Sequence, residues 1–108
     1  MKLYTYDESG NSYKVRLLMS FLGVDYEKVD VDLMADEQHE PPFLAINPRG
    51  EVPVLVDGEL VLRDSAAILV YVAGRHGDGQ WWPADPAGQA AIVEWLAFAA
   101  SWVQYGVF

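Results

Sequence analysis

The chain has 108 residues, enough for one domain or for one domain and part of another. It is 52% hydrophobic and 13% aromatic, which suits a packed core and argues against disorder. A net charge of −9 disfavours nucleic acid and anionic membrane surfaces as partners, and the absence of cysteine rules out disulfides, thiolate zinc sites and any Cys-x-x-Cys redox motif.

The first residues carry too short an apolar run for a signal peptide, and no segment reaches the roughly 18 apolar residues of a membrane span. A cytoplasmic location is expected. Leu3-Tyr4-Thr5-Tyr6 reads as a short strand from its aromatic and β-branched content. A polar turn cluster follows at 7–12. Val15, Leu18, Met19 and Leu22 then recur at helical spacing, and Gly23 is a natural stop. Residues 26–33 alternate, with Val29, Val31 and Leu33 on one face and Lys28, Asp30 and Asp32 on the other, as in a half-exposed strand. Strand, helix and strand within about 30 residues predict a βαβ unit with parallel strands.

Residues 34–46 predict a short, irregular helical segment interrupted by Pro41-Pro42 and leading to a turn at Asn47-Pro48. Val54-Leu55-Val56 and Leu60-Val61-Leu62 flank Asp57-Gly58-Glu59, a strong hairpin signal. Asp64-Ser65 caps a helix over 66–75 that is apolar on most sides. A linker covers 77–84. Asp85 and Pro86 then suit the N-cap and first position of another helix. From 90 to 108 only Glu94 is charged. Ile92, Leu96, Ala99 and Val103 form one stripe there, and Trp95, Phe98, Trp102 and Tyr105 form a second. A helix apolar on two faces needs partners on both, so further sequence or a second subunit is expected against it.

Asn47-Pro48-Arg49-Gly50-Glu51-Val52-Pro53-Val54-Leu55 is the most informative stretch. Pro53 heads an apolar strand, where a proline is tolerated only at a start, an edge or a bulge. A cis Val52-Pro53 bond would bend the chain there and leave the Val52 backbone as a docking edge. On the residues alone, a trans edge proline is the commoner case. Ser9-Gly10-Asn11-Ser12 and Asp64-Ser65 are likewise readable as plain helix caps. Lys14, Arg16, Arg49 and Arg63 are the cations that could gather around an anionic ligand, although Arg63 is most simply a surface charge. His39 and His76 are read as solvent-facing, with no carboxylates at metal-ligand spacing, so no metal is expected.

Three blocks resemble the N-terminal domain of cytosolic glutathione transferases: Ser9-Gly10-Asn11-Ser12-Tyr13-Lys14-Val15-Arg16, the Val52-Pro53 stretch, and Asp64-Ser65-Ala66-Ala67-Ile68. They occur in the family's order and at its distances. The resemblance implies an α/β fold, a thioredoxin-like βαβ-ββα domain with a mixed four-stranded sheet over 1–80. Residues 81–108 would be the linker and first helix of an all-α C-terminal domain. It implies glutathione as co-substrate, with Val52 and cis Pro53 pairing its cysteinyl backbone. Asp64 and Ser65 would hold the γ-glutamyl end. Gln38, His39 and Arg49 are the local candidates for the glycyl carboxylate.

Aligning Lys14-Val15-Arg16 with the Arg-Val-Arg of zeta-like members places the family's catalytic serine on Ser9, with Asn11 and Ser12 as neighbours. A hydroxyl donating to the glutathione sulfur at a helix N-terminus would favour the thiolate, which attacks an unidentified small electrophile. A tyrosine-type mechanism through Tyr6 fits the turn less well, and without cysteine no mixed disulfide forms. A homodimer is expected, with neither nucleic acid nor membrane as partner. The alternative is a transferase-like binding or assembly module without turnover.

Overall fold

The computed structural model describes residues 1–106, so the end of the last predicted helix, at Val107 and Phe108, lies outside the described residues. The elements run β1 (Lys2–Thr5), α1 (Gly10–Leu22), β2 (Glu27–Asp30), a 3-10 turn (Glu37–His39), α2 (Pro41–Leu44), β3 (Val54–Asp57), β4 (Leu60–Leu62), α3 (Ser65–His76) and α4 (Pro86–Phe98), with a π turn over Ala99–Val103. Two compact units divide the chain, Met1–Val72 and a second that begins at Ala73.

The first unit holds a four-stranded sheet in the order β2-β1-β3-β4. β1 is parallel to β2 and antiparallel to β3, and β3 is antiparallel to β4. This is the mixed thioredoxin-like sheet the sequence predicts. Its consequence for function is directional. β1, β2 and β4 all point one way and β3 points back. The ends of β1 and β4 and the start of β3 therefore share one end of the sheet.

Alternation along the central strands sorts the core onto two faces. Leu3 pairs with Leu55, and both are fully buried on one face. Tyr4 pairs with Val54 on the other. There Val31, Phe43 and Val54 form a buried cluster, with Tyr4, Leu33, Ile46, Val52, Val56 and Val61 against it. The Tyr4 and Phe43 rings meet edge to face at 5.9 Å. Helix α1 buries Ser12, Val15 and Met19 at i, i+3 and i+7, and α3 buries Ile68 and Val72 at i and i+4. Each such aliphatic burial contributes about 1.5–3 kcal/mol.

Local chemistry sets the boundaries. Ser9 caps α1, its side chain accepting from the Ser12 amide at 3.2 Å. Gly23 ends α1 in the left-handed region at φ 64°, and the Val24 amide closes onto the Met19 carbonyl. The β2 ladder is shorter than the predicted 26–33 strand, because the chain leaves β1 after the Val31 amide bonds the Thr5 carbonyl. The irregular helical segment is split at Pro41-Pro42 as predicted, with extended Glu40 between the 3-10 turn and α2. Pro41 takes the first position of α2, where a missing amide costs nothing. The predicted hairpin forms, with Gly58 at φ 61° opening its two-residue loop. Tyr71 on α3 donates to the Asp57 carboxylate at the base of that hairpin.

In the second unit Asp85 caps α4 by accepting from the Gly88 amide at 2.8 Å, with Pro86 at the first helical position. The sequence does not reveal the π turn. There the Gln104 amide reaches back five residues to the Ala99 carbonyl, while the Ser101 hydroxyl bonds the Ala97 carbonyl. The wider turn breaks the α-helical spacing on which both predicted stripes rest. Trp95, Phe98, Trp102 and Tyr105 are exposed.

Candidate functional site

The three blocks singled out in the sequence lie in one unit and at one end of its sheet. Ser9 follows β1, Val52-Pro53 precedes β3, and Asp64-Ser65 follows β4. The register sharpens this. Tyr4 pairs with Val54, so two residues onward Tyr6 and Val52 leave the sheet side by side.

The Val52-Pro53 bond is cis. The Val52 side chain packs on the Val31–Phe43–Val54 cluster while its backbone lies outside the ladder, which begins at Val54. Buried Asn47 organises the approach to this bond. Its side-chain amide donates to the Glu51 carbonyl at 2.9 Å and its side-chain oxygen accepts from the Arg49 amide at 3.1 Å. The Gly50 amide closes the turn on the Asn47 carbonyl.

Ser9 is half-buried at the N-cap of α1, and Asn11 is half-buried two residues on, within the first turn. Ser12 is fully buried, and its hydroxyl oxygen has no hydrogen-bond partner among the described residues. Asp64 caps α3, its carboxylate accepting from the Ala67 amide at 3.0 Å, and half-buried Ser65 is the first residue of that helix. Burial pushes the half-buried Lys14 ammonium below its ordinary 10.5, and the Asp64 carboxylate opposes that shift. Lys14 on α1 and Asp64 at the start of α3 are thus electrostatic neighbours.

The segment 37–39 comes against the turn before Pro53. A Cβ placed on Gly50, at φ 65°, would stand 2.8 Å from His39 Cδ2 and 3.0 Å from the Gln38 carbonyl. His39 and the Arg49-Gly50 turn are therefore neighbours, and Arg49 itself is exposed. The Gln38 side-chain oxygen is buried and unpartnered among the described residues.

Two of the four cations go to the protein's own backbone. Arg16 donates to the Thr5 hydroxyl and to the carbonyls of Tyr6 and Asp7, so it fastens the turn that carries Ser9. Arg63 is not a free surface charge, because its Nε donates to the Ile46 carbonyl at 2.8 Å. Spacing had no means of showing either contact, since both reach loop carbonyls distant in sequence. Sequence reasoning also missed the carboxylate partner of His39, whose Nδ1 lies 2.6 Å from Asp36 Oδ1.

Tyr6 stands among acids. It lines a cleft of about 370 Å³ with Asp7, Asp30, Val31, Asp32 and Glu37. Desolvation first, then Glu8, Asp32 and Asp7, hold its phenol above the ordinary 10.0.

Residues 1–74 match the family described as glutathione S-transferase, N-terminal domain. A zeta-class glutathione S-transferase of Euphorbia esula is 48% identical over 85 residues, covering 79% of this chain and 38% of that protein. A maleylacetoacetate isomerase of Pseudomonas aeruginosa is 40% identical over 94 residues, covering 83% of this chain and 44% of that protein. The crystal structure of a glutathione transferase homolog from Drosophila mojavensis, with bound glutathione, superposes with a TM-score of 0.93 at 31% identity, covering 96% of this chain and 48% of that one. The chain thus spans less than half the length of these relatives. With that match over 1–74 and a thioredoxin-like sheet in the first unit, the chain belongs to the glutathione S-transferase family.

Proposed function

We propose that the chain binds glutathione and activates its thiol as a thiolate for attack on a small electrophile. The observation that carries this is the convergence of the Ser9 cap, the cis Val52-Pro53 bond and the Asp64-Ser65 cap at one end of the sheet. The Val52 backbone, outside the ladder, pairs with the cysteinyl residue as an added strand would. Ser65 and the α3 N-terminus receive the γ-glutamyl carboxylate, and Asp64 accepts from the ammonium group. His39 and Arg49 hold the glycyl carboxylate.

Ser9 supplies the hydroxyl at the sulfur. Its oxygen already accepts the Ser12 amide, which leaves its hydrogen free to donate outward. The positive end of the 13-residue α1 adds to the stabilisation of the thiolate. The thiol proton goes to solvent, and the sulfur lone pair forms the new bond to the electrophile. Asn11 and Ser12 sit on the same turn as supporting residues. The zeta-class and isomerase relatives favour an electrophile whose reaction is isomerisation or conjugation. The rest of the proposal follows the family. Residues 81–108 begin an all-helical second domain, the protein is a cytoplasmic homodimer, and no metal takes part.

Binding is tested by calorimetry with glutathione at millimolar concentration, where Ser65→Ala weakens the affinity. No affinity in the intact protein sinks the proposal. Chemistry is tested by the ultraviolet absorbance of bound thiolate near neutral pH, which disappears in Ser9→Ala. Its persistence there, with loss in Ser12→Ala or Asn11→Ala, moves the role along the turn.

A further inference from the structure

Asp36 stands apart from its neighbours in two ways. Among the described residues it is the one non-glycine with a positive φ, at 64°. It also occupies the N-cap position of the 3-10 turn at Glu37–His39 without capping it by a side-chain hydrogen bond. Aspartate at such a position ordinarily accepts from the free amides of the turn. Here the carboxylate goes to the His39 ring, with Oδ1 at 2.6 Å from Nδ1.

That contact fixes the ring from one side. The opposite edge, Cδ2 and Nε2, lies against Gly50, at 2.8 and 3.2 Å from where a Cβ would stand. The imidazole is held between a carboxylate and a backbone too close to admit a side chain. With Nδ1 committed to Asp36, Nε2 is the nitrogen presented at the Arg49-Gly50 turn.

We infer that Asp36 is a positioning residue for the glycyl end of glutathione: it orients His39 so that Nε2 meets the ligand's carboxylate. The inference rests on the proposal that His39 holds that carboxylate. A ring with a hydrogen on each nitrogen can serve both contacts. One is donated to Asp36 and the other to the ligand. An exposed pair of this kind contributes little to folding, so its geometry is better explained by what it presents than by what it stabilises. The left-handed backbone fits the same purpose. It lets one short turn bring the carboxylate back onto the ring three residues later.

The test compares glutathione with γ-glutamylcysteine, which lacks the glycyl residue, by calorimetry on the full chain. Asp36→Gly and Asp36→Asn are the variants, because glycine and asparagine both tolerate the left-handed backbone. Asp36→Gly is expected to weaken glutathione about threefold to fivefold, with Asp36→Asn between it and the wild type. Affinity for γ-glutamylcysteine should stay within about twofold in both variants, a selectivity that mere loosening of the turn would not produce. Equal weakening of the two ligands, or an unchanged glutathione affinity in Asp36→Gly, overturns the inference. A wild-type protein that binds the two ligands equally removes His39 from the glycyl subsite and the inference with it, leaving the Ser65 and Ser9 tests standing. A protein that binds neither ligand overturns the glutathione proposal itself.

Discussion

The guanidinium of Arg63 donates through Nε to the carbonyl of Ile46, 2.8 Å away, and so ties the approach to Asp64-Ser65 to the approach to the Asn47 turn. Two of the three site segments are joined through this contact. Arg63→Met keeps the aliphatic stem and removes the donor. It is expected to cost about 1 kcal/mol of stability and to weaken glutathione binding along with it. A urea titration and a calorimetric titration of the same variant check both. Wild-type affinity in a destabilised variant would show that the tie serves folding alone.

Gly50→Ala is expected to be the more damaging change. A side chain in the left-handed region costs about 1–2 kcal/mol before any contact is counted. The new Cβ would also stand 3.0 Å from the Gln38 carbonyl, a backbone atom with little room to yield. The His39 ring, at 2.8 Å, must swing aside. The urea midpoint should fall, and the preference for glutathione over γ-glutamylcysteine should fall with it.

Ser12→Ala should behave in the opposite way. The buried hydroxyl has no partner among the described residues, so removing it relieves a desolvated polar group. Stability should be unchanged or rise by up to about 1 kcal/mol, read from thermal unfolding. A loss larger than that would mean that the hydroxyl is hydrogen-bonded in solution.

The pH dependence of stability has a readable contribution from Asp7 and Lys28, whose charged groups meet at 2.8 Å. The hydrogen bond from Lys28 first, and its charge second, hold the Asp7 carboxyl below the ordinary 3.8. The same hydrogen bond holds the Lys28 ammonium above 10.5. A depressed carboxyl contributes stability above its unfolded pKa, lost as pH falls through the folded one. A raised ammonium contributes below its unfolded pKa, lost as pH climbs through the folded one. The difference in stability between wild type and Lys28→Met should therefore be level from about pH 5 to 9 and shrink below about pH 4. Both groups are exposed, so the difference is small and salt-sensitive. Denaturant midpoints across that range, at low and high salt, provide the check.

The sheet and its helices were legible because each rests on local pattern. Aromatic and β-branched content gave β1, alternation β2 and short apolar runs β3 and β4, while Asp57-Gly58 gave the hairpin and Gly23 and Asp85-Pro86 the helix limits. At Val52-Pro53 the residues alone marked an irregular strand start and left trans open, and the cis bond followed only from the family resemblance. The π turn was not legible, since it rests on the Gln104 amide reaching the carbonyl of Ala99 five residues back, a backbone pairing that no residue type there announces. Around the site, the residue types were visible but their partners were not. Arg16 and Arg63 stood out as cations for a ligand, yet both reach loop carbonyls whose positions depend on the folded chain. Asp36 lies three residues before His39, a spacing that suits a helical pair. Only its left-handed φ shows that the contact is made across a turn instead.

The direction of the strands has a further consequence, for tolerance to change. With Ser9, Val52-Pro53 and Asp64-Ser65 gathered at one end, the other end of the sheet carries the α1–β2 connection and the Gly58-Glu59 loop, where Gly23, Gly58 and Glu59 are all exposed. Length can vary there without moving a site residue. A short insertion between Gly58 and Glu59 leaves the β3–β4 pairing and the Tyr71–Asp57 contact on either side of it. That loop is the place where this fold can accept a tag, a fluorophore or an evolved appendage while the opposite end of the sheet is left undisturbed.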